Sequence, residues 1–493
     1  MKLKQIIAEM GNVDADGVSD RDISGIAYDS RRVTPGMIFV AISGHEADGH
    51  EFIAKAFNRG AAAVICQKDA VGVSRSDVIR VPDTRVALAR TAAAFYSHPS
   101  DQLDVIGVTG TNGKTTVTFM VKHILETMGK STGLLGTVRY EIGERTIPAQ
   151  RTTPEALEIQ QMMRQMLRAG CQACVMEASS HGLALNRADQ VEFKVGVFTN
   201  LTAEHLDFHG SLENYYLSKR RLFESLRDGK KSAAAVINID DEFGVRLVGE
   251  MADLDVLTYG QSAKADLRLL EVSVTGERTS FVYEVDGVAR TCRLPLIGRY
   301  NAANGLAAIA TSVKLGVSHD AAAKALETMP MVPGRLEPVQ AGQPFQVYVD
   351  YAHTDDALMN ALRTIREVTT GRVLTVFGCG GDRDQGKRAR MGQAAARRSD
   401  LVFITNDNPR SEDPERIAAA IVDGFTSVRT EGLTVELDRA RAIQDAIWAA
   451  QPGDAVLIAG KGHETYQEFE NTVVPFDDRI HAREALEMLG MRR

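Results

Sequence analysis

The sequence predicts an α/β fold in three domains, and three observations predict it. Short apolar runs alternate with segments of helical period over most of the chain, the pattern of strands joined by crossover helices. One such run, LDVIGVT at 103–109, leads directly into a glycine-rich loop and then a helical pattern. The chain has 493 residues, and at roughly 100–200 residues per domain that allows about three separate cores.

Taken in order, residues 1–100 form a small α/β domain with candidate strands at 61–66 and 77–81, closed by a linker at Tyr96-Ser97-His98-Pro99-Ser100. Residues 101–332 form the central domain, which opens with the strand at 103–109 and includes strands at 174–176 and 195–200. A second break falls at Met331-Val332-Pro333-Gly334-Arg335. Residues 333–493 then place strands at 345–349, 373–377, 401–405 and 455–458 between helical patterns, a parallel, Rossmann-like arrangement.

Composition narrows the function. Hydrophobic residues are 44% and charged residues 25%, as in an ordinary globular chain. Lys+Arg number 57 against Asp+Glu 65, a net charge of −8 that does not favour a nucleic-acid partner. Glu9, Asp14 and Asp16 interrupt the N-terminal segment, and no apolar run approaches the ~18 residues of a membrane span. The expectation is a cytoplasmic protein with no membrane insertion. Five cysteines, an odd and sparse set, do not form a disulfide framework. Cys171 and Cys174 make one C-x-x-C, which could serve redox or metal chemistry but reads better as two small core residues.

The strongest local signal is GVTGTNGKTT at 107–116. It precedes Val117, Met120, Val121, Ile124, Leu125 and Met128, which share one helical face. Strand, glycine turn, Lys-Thr and helix make a P-loop context. The backbone of Gly110, Thr111, Asn112 and Gly113 can approach phosphate oxygens, and the helix N-terminus adds a favourable dipole. Lys114 can neutralise β/γ-phosphate charge, the hydroxyl of Thr115 can hold Mg²⁺, and Thr116 follows in register. The usual pattern has a glycine where this chain has Val108, so the loop is a variant.

The strand at 174–176 leads into Glu177, either a ligand for Mg²⁺ or its water shell or an ordinary strand-end acid. The strand at 195–200 leads into LTAEHLDFHG, whose His205, Asp207 and His209 could form a site or serve structure. Lys219, in NYYLSKRRLF, reads by pattern alone as a solvated surface lysine.

Together these motifs resemble the Mur ligase family. The order GTNGKTT, MEASSHGL, TNLTAEHLDFHG, YYLSKRRLF carries the resemblance, extended by LIGRYNAANGLAA, VPGRLE, DYAHTDDAL and FGCGGDRDQGKR. Near the N-terminus, DSRRVTPGMIFVAISG and DGH look like the nucleotide-sugar-binding domain of the tripeptide-forming member. The resemblance implies an ATP-dependent ligase of peptidoglycan precursor synthesis, acting through an acyl phosphate and using Mg²⁺, in a pair of ions. Lys114 would grip the ATP phosphates, and Thr115, Glu177 and His205 would serve magnesium. Lys219 would be carbamylated and help hold the second ion, which overturns the surface reading and requires a depressed amine pKa. Asn301 would contact adenine, Arg335 and Asp350 ribose or phosphate, and His353 the nucleotide. Ser30 and His45 would sit at the uridine nucleotide, and Thr152, Thr153, Ser179 and Arg187 would hold the muramoyl-dipeptide arm. A monomer is expected. The chain departs from the family in having Glu204 where Asp is frequent and Asp355 where Pro is usual.

NDNPR at 406–410 looks like the DNPR motif of ligases that add meso-diaminopimelate. That amino acid differs from lysine by a far carboxylate, which the Arg410 guanidinium could bind bidentately. With lysine as substrate a buried Arg410 would lack its partner. Alternatively, DNPR is simply a turn. The resemblance places Arg383, Asp407 and Asn408 at the same substrate, with Gly460 and Glu464 of GKGHE receiving its far ammonium.

Overall fold

The computed structural model describes residues 1–491 except 12, 14–17, 19, 45–46, 69–76 and 471. The chain packs as two compact units, Met1–Thr202 with Ser211–Thr258, and Ala203–Gly210 with Tyr259–Arg493.

The first unit begins with parallel strands β1 (Gly25–Ala27), β2 (Met37–Val40), β3 (Ala63–Cys66) and β4 (Val78–Arg80), paired in that order. Strands β3 and β4 lie inside the predicted runs. Ile38, Val40, Ile65 and Ile79 share a core with Leu88 and Ala92 of the helix Thr84–Phe95. Each large aliphatic side chain buried there contributes about 1.5–3 kcal/mol. Asp83 caps that helix by accepting from the backbone N–H groups of Arg85 and Val86. After Phe95 the chain turns through Ser97 and His98, whose φ angles of 60° and 45° are left-handed, at the stretch read as a linker.

The main sheet of this unit contains β5 (Asp104–Thr109), β6 (Thr132–Leu135), β7 (Arg139–Ile142), β8 (Arg145–Pro148), β9 (Ala173–Glu177), β10 (Phe193–Phe198) and β11 (Ala234–Asn238). Their order is β11-β10-β5-β9-β6-β7-β8, parallel from β11 to β6 and antiparallel beyond. The register sets Val108 beside Glu177 and Thr109 beside Phe198, so β5, β9 and β10 end at one edge. Ligands of open parallel sheets bind at this carboxyl edge. The helix Lys114–Thr127 buries Val117, Met120, Val121, Ile124 and Leu125. Met128, counted on the same face in the sequence, is 44% exposed because the helix ends at Thr127. All five cysteines are free and buried, and among the described residues no group of three or more His, Cys, Asp or Glu is placed to hold a metal. Cys171 and Cys174 are therefore core residues.

In the second unit, Tyr259 and Gly260, the last two residues of β12 (Asp255–Gly260), pair with β13 (Leu267–Val274), which continues into antiparallel β14 (Thr279–Val285) and β15 (Val288–Leu294). A further sheet contains β16 (Glu337–Pro338), β17 (Gln346–Asp350), β18 (Val373–Phe377), β19 (Leu401–Ile404), β20 (Leu433–Val435) and β21 (Ala455–Ala459). Its order is β16-β17-β21-β18-β19-β20, parallel except at the short β16 edge. Strands β18 and β21 are buried at every residue because helices cover both faces. Val373, Phe377 and Leu457 enter the core that includes Leu362, Met391 and Ile421, whereas Leu374, Val376 and Ile458 enter the one with Ile443 and Leu486. That alternation is the period-two geometry of a strand. The Rossmann-like expectation for this region matches the observed sheet. A hairpin, β22 (Tyr466–Phe469) and β23 (Thr472–Pro475), follows. No helix among the described residues is long and apolar enough to cross a membrane.

Candidate functional site

The glycine loop joins β5 to the helix Lys114–Thr127. Gly110 has φ 147°, and a Cβ there would lie 1.9 Å from Thr199 Oγ1, so only glycine fits. The end of β10 pins the loop. Thr111 N–H donates to Asn200 O (2.8 Å), Asn112 N–H to Asn200 Oδ1 (2.9 Å), and Thr199 Oγ1 donates to Asn112 O (2.6 Å). Lys114 Nζ donates to the carbonyls of Gly110 (2.9 Å) and Thr111 (2.8 Å), folding its charge over the loop. Thr115 and Thr116 are buried in the first helical turn.

Lys219 contradicts the surface reading drawn from its pattern. It is 1% exposed, donates from Nζ to Gly110 O (2.7 Å), and lies 4.3 Å from the Tyr215 ring centroid. The helix Leu212–Asp228 packs Leu222 and Phe223 into the core on the same side, which carries Lys219 inward to the loop.

Glu177 is 1% exposed and fully engaged. Its Oε1 accepts from Thr115 Oγ1 (3.0 Å) and Thr137 N–H (2.8 Å), and its Oε2 from Thr137 Oγ1 (3.0 Å). A buried carboxylate beside a threonine hydroxyl at a P-loop is the hard-oxygen donor set that suits Mg²⁺. Gly136 keeps room for this acid, since a Cβ there would be 2.6 Å from Glu177 Oε1. From the same strand end, Thr153 Oγ1 donates to Glu177 O (2.8 Å) and meets Ser179 Oγ (2.9 Å), while Thr152 Oγ1 meets Thr137 Oγ1 (3.0 Å). Arg187 Nη1 donates to Thr153 O (3.2 Å), and its Nε lies 3.0 Å from Glu155 Oε1. Thr152, Thr153, Ser179 and Arg187 thus form one cluster, with Thr137 and Glu155 as members the sequence reading missed. Ser30 is buried in the turn Ser30–Arg32, and His45 lies outside the described residues.

In the second unit, His205 takes a left-handed φ of 56° before the short helix Leu206–His209, which contains Asp207. Glu204 Oε1 lies 3.7 Å from His205 Nε2 and 4.0 Å from His353 Nε2, so the departure at Glu204 sets a carboxylate between two histidines. The other departure, Asp355, begins the helix Asp355–Val368 and pairs with Arg390 (3.2 Å). Asp350 is 7% exposed and accepts from Leu336 N–H (2.7 Å) and Ala352 N–H (2.8 Å). Burial raises its carboxyl above the usual range, against the pull of the Arg335 charge. Arg335 lies 4.8 Å from the Tyr351 ring centroid. Asn301 is buried at the start of the helix Arg299–Lys314, its Nδ2 donating to Ile297 O (2.8 Å) and its Oδ1 accepting from Asn304 (3.0 Å).

The loops after β19 and β21 bring Asp407, Asn408, Gly460 and Glu464 together. A Cβ on Gly460, whose φ is 113°, would be 2.6 Å from Asp407 Oδ2. Asn408 Nδ2 donates to Glu464 Oε2 (3.1 Å). Arg410, at φ 54°, joins the loop to β22 through a 3.0 Å backbone bond from its N–H to Glu468 O. Its side chain donates to Gly381 O (2.8 Å) and Glu468 Oε2 (2.9 Å). The expectation that Arg410 lacks a partner without a substrate carboxylate is therefore corrected, because Glu468 supplies one. Arg383 does not converge with these groups. Its Nη1 donates to the neighbouring Asp382 carbonyl (3.1 Å). The sequence reading also passed over Lys461, although the GKGHE motif contains it. Lys461 is 0% exposed and donates to Asn408 Oδ1 (3.0 Å) and Glu464 Oε2 (2.9 Å).

The chain matches the family models described as Mur ligase family, catalytic domain (residues 22–96), Mur ligase middle domain (108–312) and Mur ligase, glutamate ligase domain (334–462). It is 44% identical to the UDP-N-acetylmuramoyl-L-alanyl-D-glutamate–2,6-diaminopimelate ligase of Alkaliphilus metalliredigens, covering 100% of this chain and 99% of that one. A solved structure of a ligase of the same name is 32% identical with a TM-score of 0.67, covering 95% of each chain. The MurF ligase of Thermotoga maritima, solved in complex with ADP, shares the fold at 20% identity and a TM-score of 0.64, over 95% of this chain and 98% of that one.

Proposed function

The chain belongs to the Mur ligase family, and from this premise we propose that it joins meso-2,6-diaminopimelate to the D-glutamate γ-carboxylate of UDP-N-acetylmuramoyl-L-alanyl-D-glutamate, forming ADP and phosphate. It is an ATP-dependent carboxylate–amine ligase of peptidoglycan precursor synthesis, working in the cytoplasm as a monomer. Its domains run 1–100 for the uridine-nucleotide substrate, 101–332 for ATP and 333–493 for the amino acid. The observation that carries the reading is the convergence of Asp407, Asn408 and Glu464 on the loops after β19 and β21, with Arg410 on the same loop.

In the first step a γ-carboxylate oxygen attacks the γ-phosphorus of ATP, and the bond to ADP breaks. Gly110, Thr111, Asn112, Gly113 and Thr116 cradle the phosphates, and Lys114 offsets the charge that develops. Thr115, Glu177 and His205 would hold Mg²⁺, and Lys219, as its carbamate, a second ion. Bound there, the metal neutralises phosphate charge. Burial of Lys219 against the Gly110 carbonyl supports its assignment to the site. Asn301 serves adenine, Arg335 and Asp350 ribose or phosphate, and His353 the nucleotide. Ser30 and His45 receive the uridine nucleotide, and Thr152, Thr153, Ser179 and Arg187 orient the muramoyl-dipeptide. In the second step the amine nitrogen of diaminopimelate attacks the acyl carbon, the carbon–oxygen bond to phosphate breaks, and the nitrogen gives up a proton. Asp407, Asn408, Gly460 and Glu464 hold the amino acid by its charged ends. Arg410, shared with Glu468, binds carboxylate.

The test is ligation. Purified protein, ATP, Mg²⁺ and the UDP-muramoyl-dipeptide are incubated with meso-diaminopimelate or L-lysine, and products are weighed by mass spectrometry. Product with diaminopimelate alone is expected, and Arg410→Ala should erode that preference. Product mainly with lysine overturns the diaminopimelate assignment and keeps the ligase.

A further inference from the structure

Lys461 is the one member of the cluster after β21 to which the proposed reaction gives no task. Its ammonium is fully buried, at 0% exposure, and both bonds named above go to groups assigned to the substrate. Resting on the amino-acid site proposed above, we propose that Lys461 is a positioning residue that fixes the Asn408 amide and holds the Glu464 carboxylate ready for the ammonium of the incoming amino acid.

The hydrogen bonds set the orientation. Asn408 Oδ1 accepts from Lys461 Nζ (3.0 Å) and from Glu468 N–H (3.1 Å), so the oxygen of the amide faces the lysine. That leaves Nδ2 as the face toward Glu464, where it donates to Oε2 (3.1 Å). Glu464 Oε2 accepts from Lys461 as well (2.9 Å), and both bonds converge on that one oxygen. Neither bond uses Oε1. Lys461 and the Glu468 N–H together keep the amide oxygen turned from the carboxylate, and of the two the lysine supplies the charge-assisted bond.

The same charge acts on ionisation. Burial raises the Glu464 carboxyl above its usual range, Lys461 pulls it down, and Asp407 pushes it up again. The other charged or titratable groups facing Glu464 are Tyr351, Tyr466 and Arg439. Of these groups Lys461 makes the direct ion pair. Removing it leaves burial and Asp407 opposed by the Asn408 hydrogen bond and the Arg439 charge but by no ion pair, so Glu464 becomes neutral at a higher pH and attracts an ammonium less. The loss is greatest at low pH and shrinks as pH rises and the carboxylate re-forms.

The experiment measures KM for meso-diaminopimelate by phosphate release, from about pH 5.5 to about pH 7.5, below the range in which an α-ammonium is lost. Wild type, Lys461→Met, Lys461→Gln, Glu464→Gln and the Lys461→Met/Glu464→Gln double variant are compared in the full chain. Lys461→Met should raise KM for diaminopimelate by about tenfold or more near neutrality, the scale of a charge-assisted hydrogen bond. The excess should fall with rising pH. In the Glu464→Gln background, which has no carboxylate to titrate, the substitution should add little. Lys461→Gln, which keeps a donor but not the charge, should show the same pH trend with a smaller rise. It provides the test if the methionine variant fails to fold. Unchanged KM, or a pH-independent loss shared equally by all substrates, overturns the proposal. Wild-type protein that does not turn over diaminopimelate overturns the functional reading instead.

Discussion

Single residues in the glycine loop carry constraints that can be measured one at a time. Gly110 sits at φ 147° with Thr199 Oγ1 1.9 Å from where a Cβ would be. Gly129 also has a positive φ, 79°, but nothing within 4 Å. Gly129→Ala should therefore cost only the left-handed strain of about 1–2 kcal/mol. Gly110→Ala adds a clash with a side chain that itself holds Asn112 O, and should cost more and weaken nucleotide binding as well. Denaturant unfolding and nucleotide titration of the two variants check this, and equal losses would show that the close packing is irrelevant. The loop was legible in the sequence because its chemistry is local: spacing alone places Lys114 and Thr115 behind the turn. Lys219 was not legible from its own surroundings. Its neighbours Arg220 and Arg221 look solvated, and only helix packing turns the lysine inward.

At the scale of elements, parallel strands do the positioning. Strands β5, β9 and β10 end in register, and that brings the loop, Glu177 and Asn200 to one edge. In the second unit the loops after β19 and β21 are tied by a buried pair. Arg439 Nε and Nη2 donate to the Asp478 carboxylate at 2.7 Å each, with both side chains 0% exposed. Arg439 Nη1 also reaches Asn406 O (3.2 Å) and Nη2 reaches Ala459 O (2.9 Å), the residues leading into each substrate loop. Asp478→Leu alone strands a buried guanidinium and should cost about 3–5 kcal/mol. Asp478→Leu with Arg439→Met removes both charges and should recover much of that loss. Denaturant melts of the single and double variants decide it, and additive losses would show that the pair is not coupled. Neither residue stands out in the sequence, because each lies in an ordinary amphipathic segment and the partners are 39 positions apart.

For the whole molecule, the expected consequence of the proposed chemistry is linkage between nucleotide, metal and stability. ATP with Mg²⁺ at a hundredfold excess over its dissociation constant should stabilise the folded chain by about 2.7 kcal/mol. Scanning calorimetry should show a higher Tm with ATP and Mg²⁺ than with ATP and a chelator. Identical melts with and without metal would remove Mg²⁺ from the reading of Thr115 and Glu177.

The sequence by itself determined the α/β class, the strand–loop–helix that presents Lys114, and the parallel strands of the C-terminal region. These depend on period, glycine placement and short-range spacing, which a linear reading contains. Only the tertiary structure decided that Lys219 is buried against the loop, that Glu468 is the partner of Arg410, and that Lys461 is locked between Asn408 and Glu464. Each of these is a contact between segments distant in the chain, or a choice of which side chain faces inward. Packing makes that choice, because a buried charge must find its partner wherever the fold brings one within reach.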